Sequence, residues 1–266
     1  MSKAAPVLKY PGAKWNLAEW IISYFPPHTT YLEPLFGSGA AYFNKKASHC
    51  ETINDISGDI CNLFKVIRDR PDELSRLVEF TPWARDEYNL SYEKTGDDLE
   101  DARRFLIRCW MAFASSTSAR VGWKNDVRGH VGAAGYKVWR QVPDRINIAA
   151  QRLKQAQIEN QTAVEIINRY KYPEVLIYAD PPYPLSTRSG KMYAYEMTDD
   201  EHLKLLEVLN NHPGPVIISG YKCDLYNQKL EGWTVKTKWA AAEKGNSRQE
   251  VLWLNPICAE ANRTLF

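Results

Sequence analysis

Apolar and polar positions along this chain follow two rhythms. Short, nearly continuous apolar runs read as buried strands, and apolar residues at i, i+3, i+4 and i+7 read as one face of a helix. Tyr31-Leu-Glu-Pro34 is a short run leading into the glycine turn Leu35-Phe36-Gly37-Ser38-Gly39, after which Ala40 to Lys46 reads as helical. Thr52 to Asp55 is a second strand ending in a carboxylate. Ile60, Leu63, Phe64 and Ile67 form a helical face that Pro71 stops. Leu99, Ala102, Leu106, Cys109 and Phe113 mark another helix, and Ile146, Ala150, Leu153 and Ala156 a returning one. Between them Ser115 to Val142 loses its period and gains Gly, Arg, Lys and Trp, which predicts a surface loop or small hairpin. Glu174 to Ala179 and Pro215 to Ser219 fit buried parallel strands. Asp199 to Asn211 is helical, with Leu203, Leu206 and Leu209 inward. Trp233, Val235, Thr237 and Trp239 alternate, as do Val251 and Trp253, which predicts an antiparallel hairpin at a sheet edge.

Strands alternating with helices imply an α/β fold, with a mostly parallel sheet closed by that antiparallel edge hairpin. Residues 1–70 and 157–266 supply the sheet, and residues 71–156 form a helical and loop insert. In such sheets ligands bind outside the carboxyl ends of the strands. The glycine turn, Asp55 and Asp180 all fall at such ends.

Composition changes this picture in one place. The chain has 266 residues and a formal net charge of only +2, yet Arg103 to Lys154 holds eleven Lys/Arg against two Asp/Glu. The insert is therefore the basic part, and the remainder is net acidic. A 44% hydrophobic content supports a packed core and excludes disorder as the main state. No apolar run approaches the ~20 residues of a membrane helix, and Met1-Ser-Lys-Ala-Ala-Pro6 lacks a signal-peptide core. Five scattered cysteines without a CxxC pair argue against a disulfide scaffold or zinc ribbon. These features predict a soluble, reduced, cytoplasmic protein. The five histidines have no metal-ligand spacing, so no metal is expected and ordinary surface roles are. No nucleophile–base set suggests itself.

The chemistry lies at the strand ends. Phe36-Gly37-Ser38-Gly39 lets a backbone approach a ligand closely, but lacks the GxGxxG of dinucleotide binders and the GK[ST] of a P-loop. Asp55 suits the hydroxyls of a ribose. Asp180-Pro181-Pro182-Tyr183 is the sharpest signal. Two prolines hold a rigid, carbonyl-lined turn, between an acceptor carboxylate and an aromatic ring. That set can accept hydrogen bonds from an exocyclic amine and stack on its planar ring.

With Lys9-Tyr10-Pro11-Gly12-Ala13-Lys14, Glu33 to Gly39, Asn54-Asp55-Ile56 and Asp180 to Tyr183 in this order, the chain resembles the Dam-like DNA adenine-N6 methyltransferases of the DPPY type. The resemblance implies a Rossmann-like methyltransferase sheet, with 71–156 as an inserted target-recognition domain. It implies S-adenosylmethionine as cofactor, contacted by Tyr10, Lys14, Glu33, Phe36, Gly37, Ser38, Gly39, Asp55 and Asp180. Asp180 and the Pro181 carbonyl would hold the adenine amine, Pro182 would stiffen the turn, and Tyr183 would stack on the flipped-out base. The first motif departs from the family's aromatic-x-Gly-Gly-Lys, reading Tyr-Pro-Gly-Ala-Lys instead.

The resemblance gives the basic insert a role. Lys9, Arg120, Trp123, Lys124, Arg128, Lys137 and Arg140 become the expected DNA contacts, and Trp139 a further aromatic that could reach DNA. The partners implied are double-stranded DNA and, where the chain serves a restriction–modification pair, a cognate restriction endonuclease. Pro184 to Tyr195, directly after the catalytic turn, is expected to order on substrate binding. Rival readings are another methyl acceptor on the same fold, such as an RNA adenine, a cytosine amine or a glutamine amide, or a non-catalytic DNA-binding regulator. Methyl transfer to duplex DNA against RNA separates them.

Overall fold

A computed structural model of the chain describes residues 5–113, 117, 119–125, 134–188, 190–241 and 247–263. The elements in order are α1 (Ala18–Ile22), β1 (Thr30–Glu33), α2 (Ala40–Asn44), β2 (Cys50–Asn54), α3 (Gly58–Asp69), α4 (Pro71–Glu79), α5 (Arg85–Leu90), α6 (Asp98–Met111), α7 (Ala134–Trp139), α8 (Val142–Leu153), β3 (Ala156–Glu159), α9 (Ala163–Arg169), β4 (Val175–Ala179), α10 (Asp199–Asn210), β5 (Val216–Gly220), α11 (Asp224–Lys229), β6 (Thr234–Ala241), β7 (Ser247–Leu254) and α12 (Pro256–Arg263).

The strands form one seven-stranded sheet in the order β3-β2-β1-β4-β5-β7-β6. β3, β2, β1, β4 and β5 pair in parallel, whereas β7 is antiparallel to both β5 and β6. This is the expected Rossmann-like sheet with an antiparallel edge hairpin. Successive side chains of a strand point to opposite faces, so β4 feeds Leu176 and Tyr178 into one buried cluster and Val175, Ile177 and Ala179 into the other. All five residues of β4 and of β5 are buried, which explains their unbroken apolar sequences.

Helices α6 and α8 pack onto α3, and α4 packs against all three. Leu74, Leu106 and Ile146 join Phe64 and Ile67 of α3 in one buried cluster. Pro71 both ends the α3 segment and opens α4, where its missing N–H removes no helical bond. α9 and α10 each begin with a reciprocal cap, Thr162 with Glu165 and Thr198 with Glu201.

Several expectations are corrected. The returning helix ends at Leu153, and Ala156 opens β3 instead. Phe113 lies beyond the end of α6 and is 75% exposed. Leu203 is half-buried, and Leu205 takes the inward place beside Leu206 and Leu209. In β6 the alternation does not mean burial. Val235 and Trp239 are exposed, because β6 is the edge strand and β7 lies inside it.

A buried ion cluster ties α8 to the sheet. Glu51 on β2 is 1% exposed and accepts from Lys45 Nζ, the Ser48 backbone N–H at 2.9 Å and Arg152 Nη2 at 2.8 Å. Arg152 sits at the end of α8, and its carbonyl accepts from the Tyr42 hydroxyl at 2.8 Å. Removing one partner of a buried pair leaves the other charge uncompensated. Glu51→Ala should therefore cost about 3–5 kcal/mol of stability, read by urea unfolding, with Glu51→Gln costing less.

Candidate active site

The carboxyl ends of β1, β2 and β4 converge on a cavity of about 520 Å³. Tyr10, Lys14, Glu33, Phe36, Gly37, Ser38, Asp55, Asp180 and Pro182 all line it. Eight of the nine expected cofactor-binding residues are thus brought together. Gly39 instead stands behind the wall, capping α2 at φ 68°, where an added Cβ would overlap the Phe36 ring.

The wall is built by backbone bonds between neighbouring strand ends. Phe36 donates to the Asn54 carbonyl at 2.9 Å, and Gly37, at φ 51°, donates to Asp55 Oδ2 at 2.9 Å. Asp55 Oδ1 accepts from the Ser57 N–H at 2.9 Å. Asn54 Nδ2 bridges the Pro34 carbonyl (2.8 Å) and the Gln161 carbonyl (3.0 Å), joining the loops after β1 and β3. Burial pushes the Asp55 carboxyl up to about 6 against those stabilising N–H bonds. Glu33 is 2% exposed, with the Tyr31 hydroxyl donating to Oε2 at 2.7 Å. Burial, reinforced by the nearby Asp180 charge and opposed by the Tyr31 bond, pushes the Glu33 carboxyl up to about 8.

The turn after β4 is held from three sides. Asp180 Oδ1 accepts from Ser219 Oγ at 2.6 Å, at the end of β5, and lies 3.2 Å from Lys14 Nζ. Lys14 also donates to the Gly12 carbonyl at 2.6 Å and stands 4.6 Å from the Tyr183 ring centroid. Burial works to lower the Lys14 pKa, but the attraction of Asp180 and Glu250 outweighs it and leaves the ammonium more firmly charged than usual. Tyr183 does not line the cavity itself. It is buried, meets Tyr221 edge-on at 4.6 Å, and donates to Glu250 at 2.8 Å. Pro181 is buried within the turn.

The segment after the turn is fastened to both sides of the cavity. Arg188 Nε donates to the Tyr183 carbonyl at 2.7 Å, and its guanidinium pairs with Glu196. Glu196 accepts from the Met192 and Tyr193 N–H groups. Thr117 in the insert donates to the Met192 carbonyl at 2.8 Å and accepts from the Ala194 N–H at 3.0 Å.

The basic insert is less free than its charge count suggests. Arg103 pairs with Glu100 and Glu87, Arg104 with Glu100, Arg108 with Asp59, and Arg152 with Glu51. Arg120 is exposed but donates to Asn89 Oδ1 at 2.6 Å and lies over Tyr92. Trp123 is half-buried under the Arg85 guanidinium, 4.8 Å from its ring. Lys9 and Lys124 are half-buried, whereas Lys137 and Arg140 are exposed on α7 and just after it. Arg128 lies outside the described residues. Trp139 is a core residue, 4% exposed, donating to the Thr81 carbonyl at 3.0 Å, so it is not a surface for DNA. His202 and His212 are likewise buried rather than superficial, bonded to Tyr226 and to the Val175 carbonyl.

Glu250 and Ser219 enter the site without having been predicted, whereas Tyr193 belongs to the segment from Pro184 to Tyr195 singled out for its place after the catalytic turn. Ser219 closes a recognised strand, and pairing that strand beside β4 would have found it. Glu250 carries no local signal.

A family model for the D12 class N6 adenine-specific DNA methyltransferases matches residues 10–243. The chain is 24% identical to the Type II methyltransferase M.MjaIII of Methanocaldococcus jannaschii, over 93% of this chain and 96% of that protein. It is 27% identical to a DNA adenine methylase of Haemophilus influenzae, over 68% of this chain and 64% of that one. A DNA N-6-adenine-methyltransferase of Escherichia phage P1 is 28% identical over 38% of this chain and 14% of its own length.

Glu33 makes a testable contribution to stability. Its carboxyl sits near 8 in the fold against an ordinary 4.5, so the folded chain holds a proton that the unfolded chain releases. The associated stability is complete below the unfolded value and is lost as pH rises through the folded one. Glu33→Gln should flatten the pH dependence of the unfolding free energy between about 4.5 and 8. A denaturation series across that window checks it; unchanged slopes would contradict the assignment.

Proposed function

The chain belongs to the D12 class N6 adenine-specific DNA methyltransferase family, and from that premise we propose that it methylates an adenine taken out of a specific site in duplex DNA into the cavity beside Asp180. It is an adenine-specific DNA methyltransferase that uses S-adenosylmethionine. The observation that carries the reading is Asp180, held at the end of β4 by Ser219 and Lys14 and opening into the cavity that the glycine turn walls.

The residues fit the cofactor. Asp55 and Asp180 bring negative charge to one cavity beside the protonated Glu33, which suits a ligand carrying an ammonium and a sulfonium. Asp55 keeps a lone pair on each oxygen beyond its backbone bonds, enough for ribose hydroxyls. S-adenosylmethionine supplies a methyl group already activated as a sulfonium.

The protein's own task is to make a poor nucleophile attack. The adenine amine delocalises its lone pair into the ring. Acceptors at Asp180 and the Pro181 carbonyl draw both amine hydrogens and favour a pyramidal nitrogen whose lone pair points at the methyl. The amine competes with the Lys14 ammonium for Asp180 Oδ1, so base entry is coupled to a shift of that lysine. Fixed acceptors and a fixed approach lower the barrier by positioning and preorganised dipoles. A duplex base must leave its stack to reach them. Tyr183 offsets part of that cost, base–aromatic stacking being worth ~1–3 kcal/mol.

DNA is held through the basic insert, with residues 71–156 as the target-recognition unit. Lys9, Arg120, Trp123, Lys124, Arg128, Lys137 and Arg140 remain the proposed contacts. The exposed Lys137 and Arg140 are the strongest candidates for phosphate contact. Likeness to a protein named as a Type II methyltransferase over nearly full length favours a restriction–modification setting, with a cognate endonuclease as partner. The protein acts in the cytoplasm.

Labelled methyl transfer to duplex DNA but not to RNA is the expected result. Asp180→Ala should lower it at least about a hundredfold, the scale of removing one preorganised polar contact at a reacting centre, while cofactor binding by calorimetry is retained in part. Full activity in that variant would contradict the mechanism. Lys137→Ala and Arg140→Ala should each reduce the log–log salt slope of DNA binding by about one. Unchanged slopes would remove these two from the interface.

A further inference from the structure

The run that forms β7 is apolar and buried from Val251 to Leu254, but Glu250 in the same strand is also buried, at 9% exposure. A buried carboxylate is costly unless it is paired and hydrogen-bonded, and an apolar side chain in its place would ordinarily serve stability as well or better. Its position suggests another reason. β7 runs antiparallel to β5, and Val251 pairs with Gly220, the last residue of β5. Glu250 therefore lies one step beyond that pairing, at the end of the sheet where Asp180 and Ser219 stand.

There it receives the Tyr183 hydroxyl at 2.8 Å. The other constraints on that ring are the Tyr221 edge at 4.6 Å and the Lys14 ammonium at 4.6 Å. Neither fixes the ring along its long axis. A bond at the hydroxyl does, because swinging the side chain about its first torsion moves the hydroxyl farthest. Burial, with the charges of Asp180 and Glu250, keeps the phenol protonated well beyond its usual range, so it remains the donor at every working pH. A phenol donating to a carboxylate also pushes electron density into its ring. That strengthens the attraction of the ring face for a cation or an electron-poor base.

We propose that Glu250 is a positioning residue for methyl transfer, fixing the Tyr183 ring against the target adenine through the tyrosine hydroxyl. The inference rests on the reading above that Tyr183 stacks on the base. Glu250 is not among the residues that line the cavity; it acts on the base through Tyr183, while its charge also steadies the Lys14 ammonium.

The test is a double-mutant cycle of Tyr183→Phe and Glu250→Ala, read as single-turnover methyl transfer to duplex DNA at saturating cofactor and DNA. Each single variant should lose about tenfold in rate, a factor within reach of one hydrogen bond. The double variant should be no slower than either, and Glu250→Gln should fall between. A rate unchanged by Y183F, or a further tenfold loss when E250A is added to it, would overturn the proposal. Because buried variants can misfold, the ¹³Cζ resonance of Tyr183 provides a reading independent of activity. It should move in E250Q at unchanged fold, and a resonance that stays in place would also overturn the proposal. No transfer to DNA by the unaltered protein, with the resonance moving as expected, would instead count against the proposed function.

Discussion

The parallel pairing of β1 with β4 is the constraint on which the site depends. Thr30, Tyr31 and Leu32 stand opposite Val175, Leu176 and Ile177, so Glu33 and Asp180 emerge at one rim. Chain order reverses across this pair, since β2 and β3 lie to one side and β5, β7 and β6 to the other. Helices that follow the two halves must leave on opposite faces, which opens a crevice where the strands end. A one-residue slip would turn every side chain of β1 to the other face, placing Tyr31 where Leu32 packs and withdrawing Glu33 from the cavity. The clusters on the two sides of the sheet are what forbid it.

That rim also explains how much of the site could be read without coordinates. The glycine turn, Asp55 and Asp180-Pro181-Pro182-Tyr183 each follow an apolar run directly, so local sequence carries both the strand and its chemical end. Glu250 reaches the site through long-range strand pairing, for which no short window holds a signal. The short helices α5, α7 and α11 have six residues each, too few for a helical period to stand out. Ala156 fitted the spacing of the preceding helix and yet opens a strand, because pairing with Glu51 outweighs local rhythm. His202, His212 and Trp139 were misread for a related reason: polar atoms on an otherwise apolar residue say little about burial when a partner is waiting in the fold.

Net charge along the insert proved the most deceptive sequence feature. Eleven basic residues in the stretch from Arg103 to Lys154 suggested a surface given over to phosphates. Four of them answer carboxylates on α3, α5, α6 and β2: Arg103, Arg104, Arg108 and Arg152. Opposite charges segregated along the chain are thus recombined across α3, α5 and α6, holding the insert to its base. Among the described residues, Lys137 and Arg140 are among the basic side chains of that stretch left exposed.

The cavity has the reverse character. Glu33, Asp55 and Asp180 converge at low exposure, and burial raises the first two above the ordinary carboxylate range. The rim avoids like-charge proximity by keeping Glu33 protonated, and offsets the remaining charge with Lys14, the Gly37 and Ser57 N–H groups and the Tyr31 hydroxyl. Every one of these is a donor or a cation, so a ligand that brings further donors and positive charge relieves the same tension. An anionic cofactor would add to it. On the proposed function, such a site would favour a positively charged ligand and would hold it less firmly once that charge is lost.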